Sequence, residues 1–470
     1  MNAFRISDVL TATRAILASG DPRRLCSGVN TDTRSLRPGE LFFALRGPSH
    51  DGNRFAREAS EKGAAGIVLC AEIGHVPAEA ALVSRDIPVL LHPDPRAMLA
   101  DLARWHRARI PARVIGVTGS CGKTTTKNIL VELLGSRMTT IGSPNSFNND
   151  IGVPLTLFLA DDATEALVVE IGTNGPGEIA HLASIAKPDA GIVTTVGAAH
   201  LEGLGSIDGV AIEKGALVEA IPEDGFCVLN ADNPWTRSMR RRARCRVLTF
   251  SLEGEGDLDA RDVWFHPGGT TFRLEGREIT SPLLGLHNVQ NLLAALAACR
   301  GLGLEIEEVL PAVSRLRAGR GRLDRIQCGR YTLIDDSYNA NPESARASVR
   351  TLAGLHGHRR RVLVLGDMLE LGPLAPELHH EIGVEAARSG IDLLVLVGEL
   401  TRATAAGALS EGLPADRVIH LADTEEAIAR VPRVLDTGDV VLVKGSRRTG
   451  LDRLVKELVE RELAATGNAA

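Results

Sequence analysis

Short, largely apolar runs alternate along the chain with longer amphipathic stretches. The runs fall at residues 41–45 and 65–69, then at 114–117, 166–171, 191–195, 227–229 and 246–250, then at 331–335, 362–365, 393–397 and 440–443. Runs apolar on both faces fit buried parallel strands, and the amphipathic stretches between them fit helices laid on a sheet. Helices are predicted over residues 1–17, 53–62, 123–134 and 289–300, with another beginning near Ser206. Residues 257–281 break the rhythm: they alternate around Pro267-Gly268-Gly269 and predict an antiparallel excursion.

This periodicity predicts an α/β protein. Its 470 residues exceed what one core serves. Three domains are expected: a small α/β N-terminal domain (1–108), a central P-loop-type domain with a mostly parallel sheet (109–317) and a C-terminal Rossmann-like domain (318–470). The last boundary falls at the glycine-rich, basic stretch 317–322, and the tail 464–470 is expected to fray.

Composition excludes several classes of function. A net charge of −6 gives no bulk basic field for nucleic acid, and 3% aromatics leave few base-stacking platforms. No window approaches the apolar length of a membrane span, and the N-terminus lacks a signal peptide's continuous apolar region. Seven scattered cysteines without a C-x-x-C pair fit free thiols in a reducing cytoplasm. Without heptads or a broad apolar stripe, a monomer is expected.

One stretch carries explicit chemistry. The apolar run at 114–117 stops at Thr118-Gly119-Ser120-Cys121-Gly122, and Lys123-Thr124-Thr125 opens a helix. Strand, glycine loop and helix N-terminus together make a phosphate cradle. Loop N–H groups and the helix dipole face the anion, the lysine neutralises it, and a threonine hydroxyl can ligate Mg²⁺. The strict G-x-x-x-x-G-K-[ST] spacing fails; the form present is T-G-x-x-G-K-T-T. Cys121 reads as a tolerated small residue, since no histidine lies nearby in sequence.

Further candidates lie at or just past strand ends, where ligands of such sheets bind. Glu170 closes an apolar run and suits a metal. His200 follows the next run and suits metal or phosphate, while Lys214 reads by composition as a solvated lysine. Asn145, Asn148 and Asn149 form an amide cluster that either binds a polar ligand or makes successive turns. Asn288 and Asn291 share a helix face and suit an adenine edge, unless Asn288 caps the helix. Asp32, Thr33 and Arg34 read as a capped turn. In the C-terminal third, Asp335, Asp336, Asp367, Glu370, Lys444 and Arg447 converge on one sheet edge.

The order TGSCGKTT, NSFNNDIGVP, VVEIGTNGPGEI, VGAAHLEGLGS…EKG, GLHNVQN, DDSYNANP, LGDMLELG and VKGSR resembles the Mur ligase family over essentially the whole chain. DDSYNANP with LGDMLELG resembles the members that add a D-alanyl-D-alanine dipeptide. That resemblance implies an ATP-dependent ligase acting on UDP-N-acetylmuramoyl-tripeptide and D-alanyl-D-alanine through an acyl phosphate, for peptidoglycan synthesis. By matching position it implies that Lys123 and the loop amides hold ATP phosphates and that Thr124, Glu170 and His200 hold Mg²⁺. Lys214 becomes a lysine that relatives carry N-carboxylated, reversing its reading as a surface residue. Asn288 and Asn291 match the adenine site, Arg320 or Arg322 the interdomain arginine, and Asp336 a nucleotide contact. Asp32, Thr33 and Arg34 match a uridine loop, and Tyr338, Asn339 and Asn341 a nucleotide–dipeptide junction. Closure over bound substrates is expected, with an open form before it. Alternatives are a related amino-acid or folate-type ligase, or an idle phosphate-binding regulator.

Overall fold

The computed structural model describes residues 1–467 apart from residues 48, 49, 73 and 267; part of the tail expected to fray (468–470) and Pro267 of the expected turn therefore lie outside the described residues. The chain is α/β, and among the described residues its three larger sheets follow one another in sequence.

The N-terminal sheet has the order Ile16–Ser19, Val89–His92, Gly66–Cys70, Glu40–Phe43, Gly28–Asn30, antiparallel only at its first pair. The helix predicted over 1–17 is shorter, Ile6–Ala12. Thr13 ends it in an extended conformation, its hydroxyl donating to the Val9 carbonyl (2.8 Å). The following Ile16 and Leu17 join a sheet edge instead.

The central sheet runs Thr140–Gly142, Ala166–Glu170, Arg113–Thr118, Ala190–Val193, Phe226–Asn230, Arg246–Ser251, all parallel. Leu258–His266 joins in parallel, and Gly269–Leu274 and Arg277–Ser281 fold back antiparallel, as the alternation at 257–281 predicts. The C-terminal sheet runs Asp324–Cys328, Tyr331–Asp336, Val440–Lys444, Arg361–Gly366, Leu393–Val397, Val418–Leu421, parallel except at its first pair.

Strand alternation splits the central core in two. Ile115, Val117, Val168 and Ile192 pack under the helices Lys123–Gly135 and Leu286–Gly301. Val114, Leu167, Val169 and Val193 face the other way. Their cluster continues without a break through Met98, Leu99 and Leu102 of the helix Pro95–Arg107 into Phe4, Leu41 and Val68 of the N-terminal domain. The C-terminal sheet keeps separate clusters on its two faces.

Candidate active site

The strand Arg113–Thr118 delivers the chain into the glycine loop, and the helix Lys123–Gly135 leaves it. Gly122 has φ +83°, and a Cβ there would collide with Asn291 Oδ1; at Gly119 (φ +152°) it would collide with the Thr194 hydroxyl. The glycines therefore let the loop lie against its neighbours at the edge of a cleft of about 1180 Å³, with the Ser120 N–H taken up by the Thr195 carbonyl (2.8 Å). Lys123 Nζ donates to the Gly119 carbonyl (2.6 Å), and burial lowers its amine below the usual range against the pull of Glu170. Ser120, Cys121, Gly122, Lys123, Thr124 and Thr125 line the cleft. Cys121 donates its S–H to Asn341 Oδ1 (3.1 Å), and burial raises its thiol, which fits the reading as an inert small residue.

Glu170 ends its strand almost fully buried (1% exposed). One carboxylate oxygen accepts from Asn148 Nδ2 (2.8 Å); the other has no hydrogen-bond partner and faces Lys127 Nζ at 4.0 Å in a loose ion pair. A buried carboxylate oxygen with spare capacity, in a cleft shared with the Thr124 hydroxyl and His200, suits a hard divalent cation. Among the described residues no group of three His, Cys, Asp or Glu side chains could hold a metal by itself. A cation here would complete its shell with phosphate and water, the habit of Mg²⁺.

His200 lines the cleft with φ +55° and its Nδ1 lies 2.9 Å from Glu370 Oε2; burial, then the charges of Lys123 and Lys214, lower its pKa. Lys214 is 1% exposed, which overturns its compositional reading as a solvated lysine. Its amine has no hydrogen-bond or ion-pair partner among the described residues, and burial holds it well below the usual range.

The C-terminal domain supplies the opposite wall. Arg322 Nη2 donates to Thr124 Oγ1 (3.0 Å), and its guanidinium lies 4.2 Å over the Tyr338 ring. Tyr338 OH donates to Ser146 Oγ (2.9 Å). Asp336 accepts from Lys444 Nζ (2.7 Å) and Ser348 Oγ (2.6 Å), and Asn339 passes its carbonyl to the same lysine (3.0 Å). Direct side-chain contacts thus join the central and C-terminal domains across the cleft. Asn288 and Asn291 line the cleft, linked by a 3.0 Å amide hydrogen bond. The helix there starts at Leu286, so Asn288 does not cap it; its Nδ2 donates to the Leu284 carbonyl (2.8 Å).

Three family descriptions match successive stretches: Mur ligase family, catalytic domain, residues 26–107; Mur ligase middle domain, 117–299; and Mur ligase, glutamate ligase domain, 321–447. The chain is 37% identical over 446 residues to the UDP-N-acetylmuramoyl-tripeptide--D-alanyl-D-alanine ligase of Escherichia coli (strain K12), covering 92% of this chain and 93% of that protein. It is 35% identical over 440 residues to the enzyme of that name in Bacillus subtilis (strain 168), covering 93% and 94%. The chain belongs to the Mur ligase family. Its fold matches a crystal structure of MurF from Acinetobacter baumannii with TM-score 0.87 at 28% identity, covering 98% of this chain and 99% of that one. It matches MurF ligase from Thermotoga maritima in complex with ADP with TM-score 0.80 at 28% identity, covering 93% and 98%.

Several residues singled out in the sequence lie outside the cleft of this Mur ligase. Asp32, Thr33 and Arg34 form a turn of the N-terminal domain, with Arg34 paired to Asp32 and Lys62 Nζ donating to the Thr33 carbonyl (2.7 Å). Asn145 turns away with φ +47°, its carbonyl holding Lys127 Nζ (2.6 Å), whereas Asn148 and Asn149 line the cleft. Asn149 Oδ1 also accepts from the Gly152 N–H (2.9 Å) where the next helix begins. Of the two interdomain arginines, Arg320 is exposed and outside the cleft and Arg322 lies inside. Asn341 caps the helix Pro342–Ala353 and still borders the cleft. Ser146 and His287 are among the cleft residues left unremarked in the sequence. Ser146 lay hidden among asparagines. His287 sits in GLHN beside the amides that drew attention, with its Nδ1 buried and unpartnered.

Proposed function

We propose that this Mur ligase joins D-alanyl-D-alanine to UDP-N-acetylmuramoyl-tripeptide with ATP, giving the pentapeptide, ADP and phosphate for peptidoglycan synthesis. The observation that carries the reading is the placing of the phosphate loop, the spare Glu170 oxygen and the Asp336–Lys444 pair in one cleft between two domains. The peptide carboxylate attacks the γ-phosphorus and displaces ADP, forming an acyl phosphate. The dipeptide amine then attacks the acyl carbon, and the tetrahedral intermediate expels phosphate. Both steps need charge neutralisation and alignment more than covalent help.

In this reading Lys123 leaves the Gly119 carbonyl for the phosphates, and the loop N–H groups of Cys121 to Thr125 cradle them. Asn288 and Asn291 face adenine, Arg322 reaches the nucleotide beside Thr124, and Asp336 orients Lys444 toward it. Thr124, Glu170 and His200 would hold Mg²⁺, which shields the transferring phosphoryl charge. Burial that lowers the pKa of an unpartnered amine favours the free base, the form that adds CO₂, so Lys214 is the candidate for N-carboxylation. Tyr338, Asn339 and Asn341 border the dipeptide, with Asn148 and Asn149 on the facing wall. Asp32, Thr33 and Arg34, remote from the cleft, would hold the uridine end. We place the protein in the cytoplasm as a monomer.

The test is phosphate release from ATP. Release should require both UDP-tripeptide and D-alanyl-D-alanine; release indifferent to the dipeptide would remove this assignment. Parallel assays with diaminopimelate- and lysine-containing tripeptides identify the third residue.

A further inference from the structure

Away from the cleft, Cys227 and Cys245 bring their sulfurs to 3.5 Å in an S–H···S contact. Cys227 lies on the strand Phe226–Asn230, fully buried within the core that the central and N-terminal domains share. Cys245 lies on a bend just before the strand Arg246–Ser251, half-buried, and the ladder between the two strands begins only at Arg246. Cys245 is thus the partly exposed residue of the pair, packed against the margin of the shared core, and Cys227 the buried one. Cys245 sits on backbone outside the ladder, and bonding requires the sulfurs to close from 3.5 Å to the roughly 2.05 Å of an S–S bond.

The two thiols differ in acidity as well as access. In the neutral pair Cys245 donates its S–H to the Cys227 sulfur; once the half-buried Cys245 ionises, Cys227 becomes the donor to its thiolate. That hydrogen bond draws the Cys245 thiol down to about 7, while burial and the same contact push Cys227 up. The other five cysteines contrast with Cys245. Burial pushes Cys26 and Cys299 up to about 12 and raises Cys70, Cys121 and Cys328. A reactive sulfur beside a shielded one is the arrangement of an attacking and a resolving thiol.

We propose that Cys227 and Cys245 are a peroxide-oxidisable dithiol in which Cys245 is attacked first and Cys227 resolves it. The Cys245 thiolate attacks one oxygen of hydrogen peroxide, breaking the O–O bond; with one proton, water leaves and a sulfenic acid remains. The Cys227 sulfur then displaces the sulfenic hydroxyl, which departs as water with the Cys227 proton, and the S–S bond forms. The two sulfurs together lose two electrons, and the peroxide is reduced to two waters.

The experiment treats the full-length protein with hydrogen peroxide at neutral pH, blocks free thiols by alkylation, and maps them by mass spectrometry. Cys227 and Cys245 should be lost together as a disulfide that dithiothreitol reverses. Cys245 should react at least ~10-fold faster than Cys70, its partly exposed control within the same chain. In Cys227→Ala the reaction should stop at a dimedone-trappable sulfenic acid on Cys245, and Cys245→Ser should leave Cys227 reduced. Equal rates at Cys245 and Cys70, or sulfenic acid persisting on Cys245 of the unmutated protein without a crosslink, overturns the proposal.

Discussion

Arg322 and Thr124 are joined by a 3.0 Å hydrogen bond between the start of the C-terminal domain and the first turn of the phosphate-loop helix. The contact belongs to a closed ring. Thr124 Oγ1 lies 3.4 Å from Ser146 Oγ, Ser146 accepts from Tyr338, and the Tyr338 ring lies under Arg322. Replacing Arg322 by lysine keeps the charge but loses the fork and the stacking. A charge-assisted hydrogen bond contributes roughly 1.5–3 kcal/mol, so Arg322→Lys should lower kcat/KM for ATP by about 10- to 100-fold. Steady-state ADP formation with ATP varied measures it; unchanged kinetics would detach the ring from the nucleotide.

Gly122→Ala attacks the cradle from its backbone. An L-residue at φ +83° costs about 1–2 kcal/mol, and the new Cβ would push Asn291 away from Thr126, whose hydroxyl donates to its Oδ1 (3.1 Å). The variant should unfold at lower temperature and bind ATP at least ~10-fold more weakly. Calorimetric titration with a non-hydrolysable ATP analogue reads the second effect, thermal melting the first.

Burial holds the His287 imidazole down to about 4, against an ordinary value near 6.5. The sign follows from proton uptake. As pH falls through about 6.5 the unfolded chain binds a proton that the folded one refuses until about 4, so stability is lost across that window on acidification. The loss should amount to about 2–3 kcal/mol at pH 4.5, and His287→Gln should lack it. Urea midpoints of both proteins at pH 7.5 and 4.5 decide; parallel declines would show that His287 does not titrate this way.

Lys214 offers a separation of fold from chemistry. Its buried amine has no partner, so Lys214→Met should fold with equal or higher stability while losing activity. Lys214→Ala should also be inactive, and short carboxylic acids should restore part of the activity if a carbamate is the working group. Full activity in the alanine variant removes Lys214 from the mechanism.

The architecture was legible because the buried strands are apolar runs and the phosphate loop is a local pattern. Glu170 and His200 were legible as strand-end polar residues, and both reach the cleft. Lys214 was not: composition makes a lysine solvated, and only packing reveals 1% exposure. Arg320 and Arg322 could not be told apart, because the choice depends on which way two neighbouring side chains turn at a domain boundary. Ser146, His287 and the Cys227–Cys245 pair owe their settings to contacts distant in sequence, which periodicity does not register. The N-terminal helix was overextended because Ile16 and Leu17 fit a helical stripe as well as a strand.

The unbroken apolar cluster from Val68 through Leu99 to Val193 has a consequence for how the molecule comes apart. Two domains that share one interior cannot melt separately without exposing it, whereas the clusters on the two faces of the C-terminal sheet draw almost entirely on residues after 318, with Leu284 reaching in from the central domain. Denaturation should therefore proceed in two cooperative steps, with residues 1–317 as one unit and 318–470 as the other. Hydrogen exchange should give the strands Gly66–Cys70 and Ala190–Val193 a common opening energy, distinct from that of Val440–Lys444.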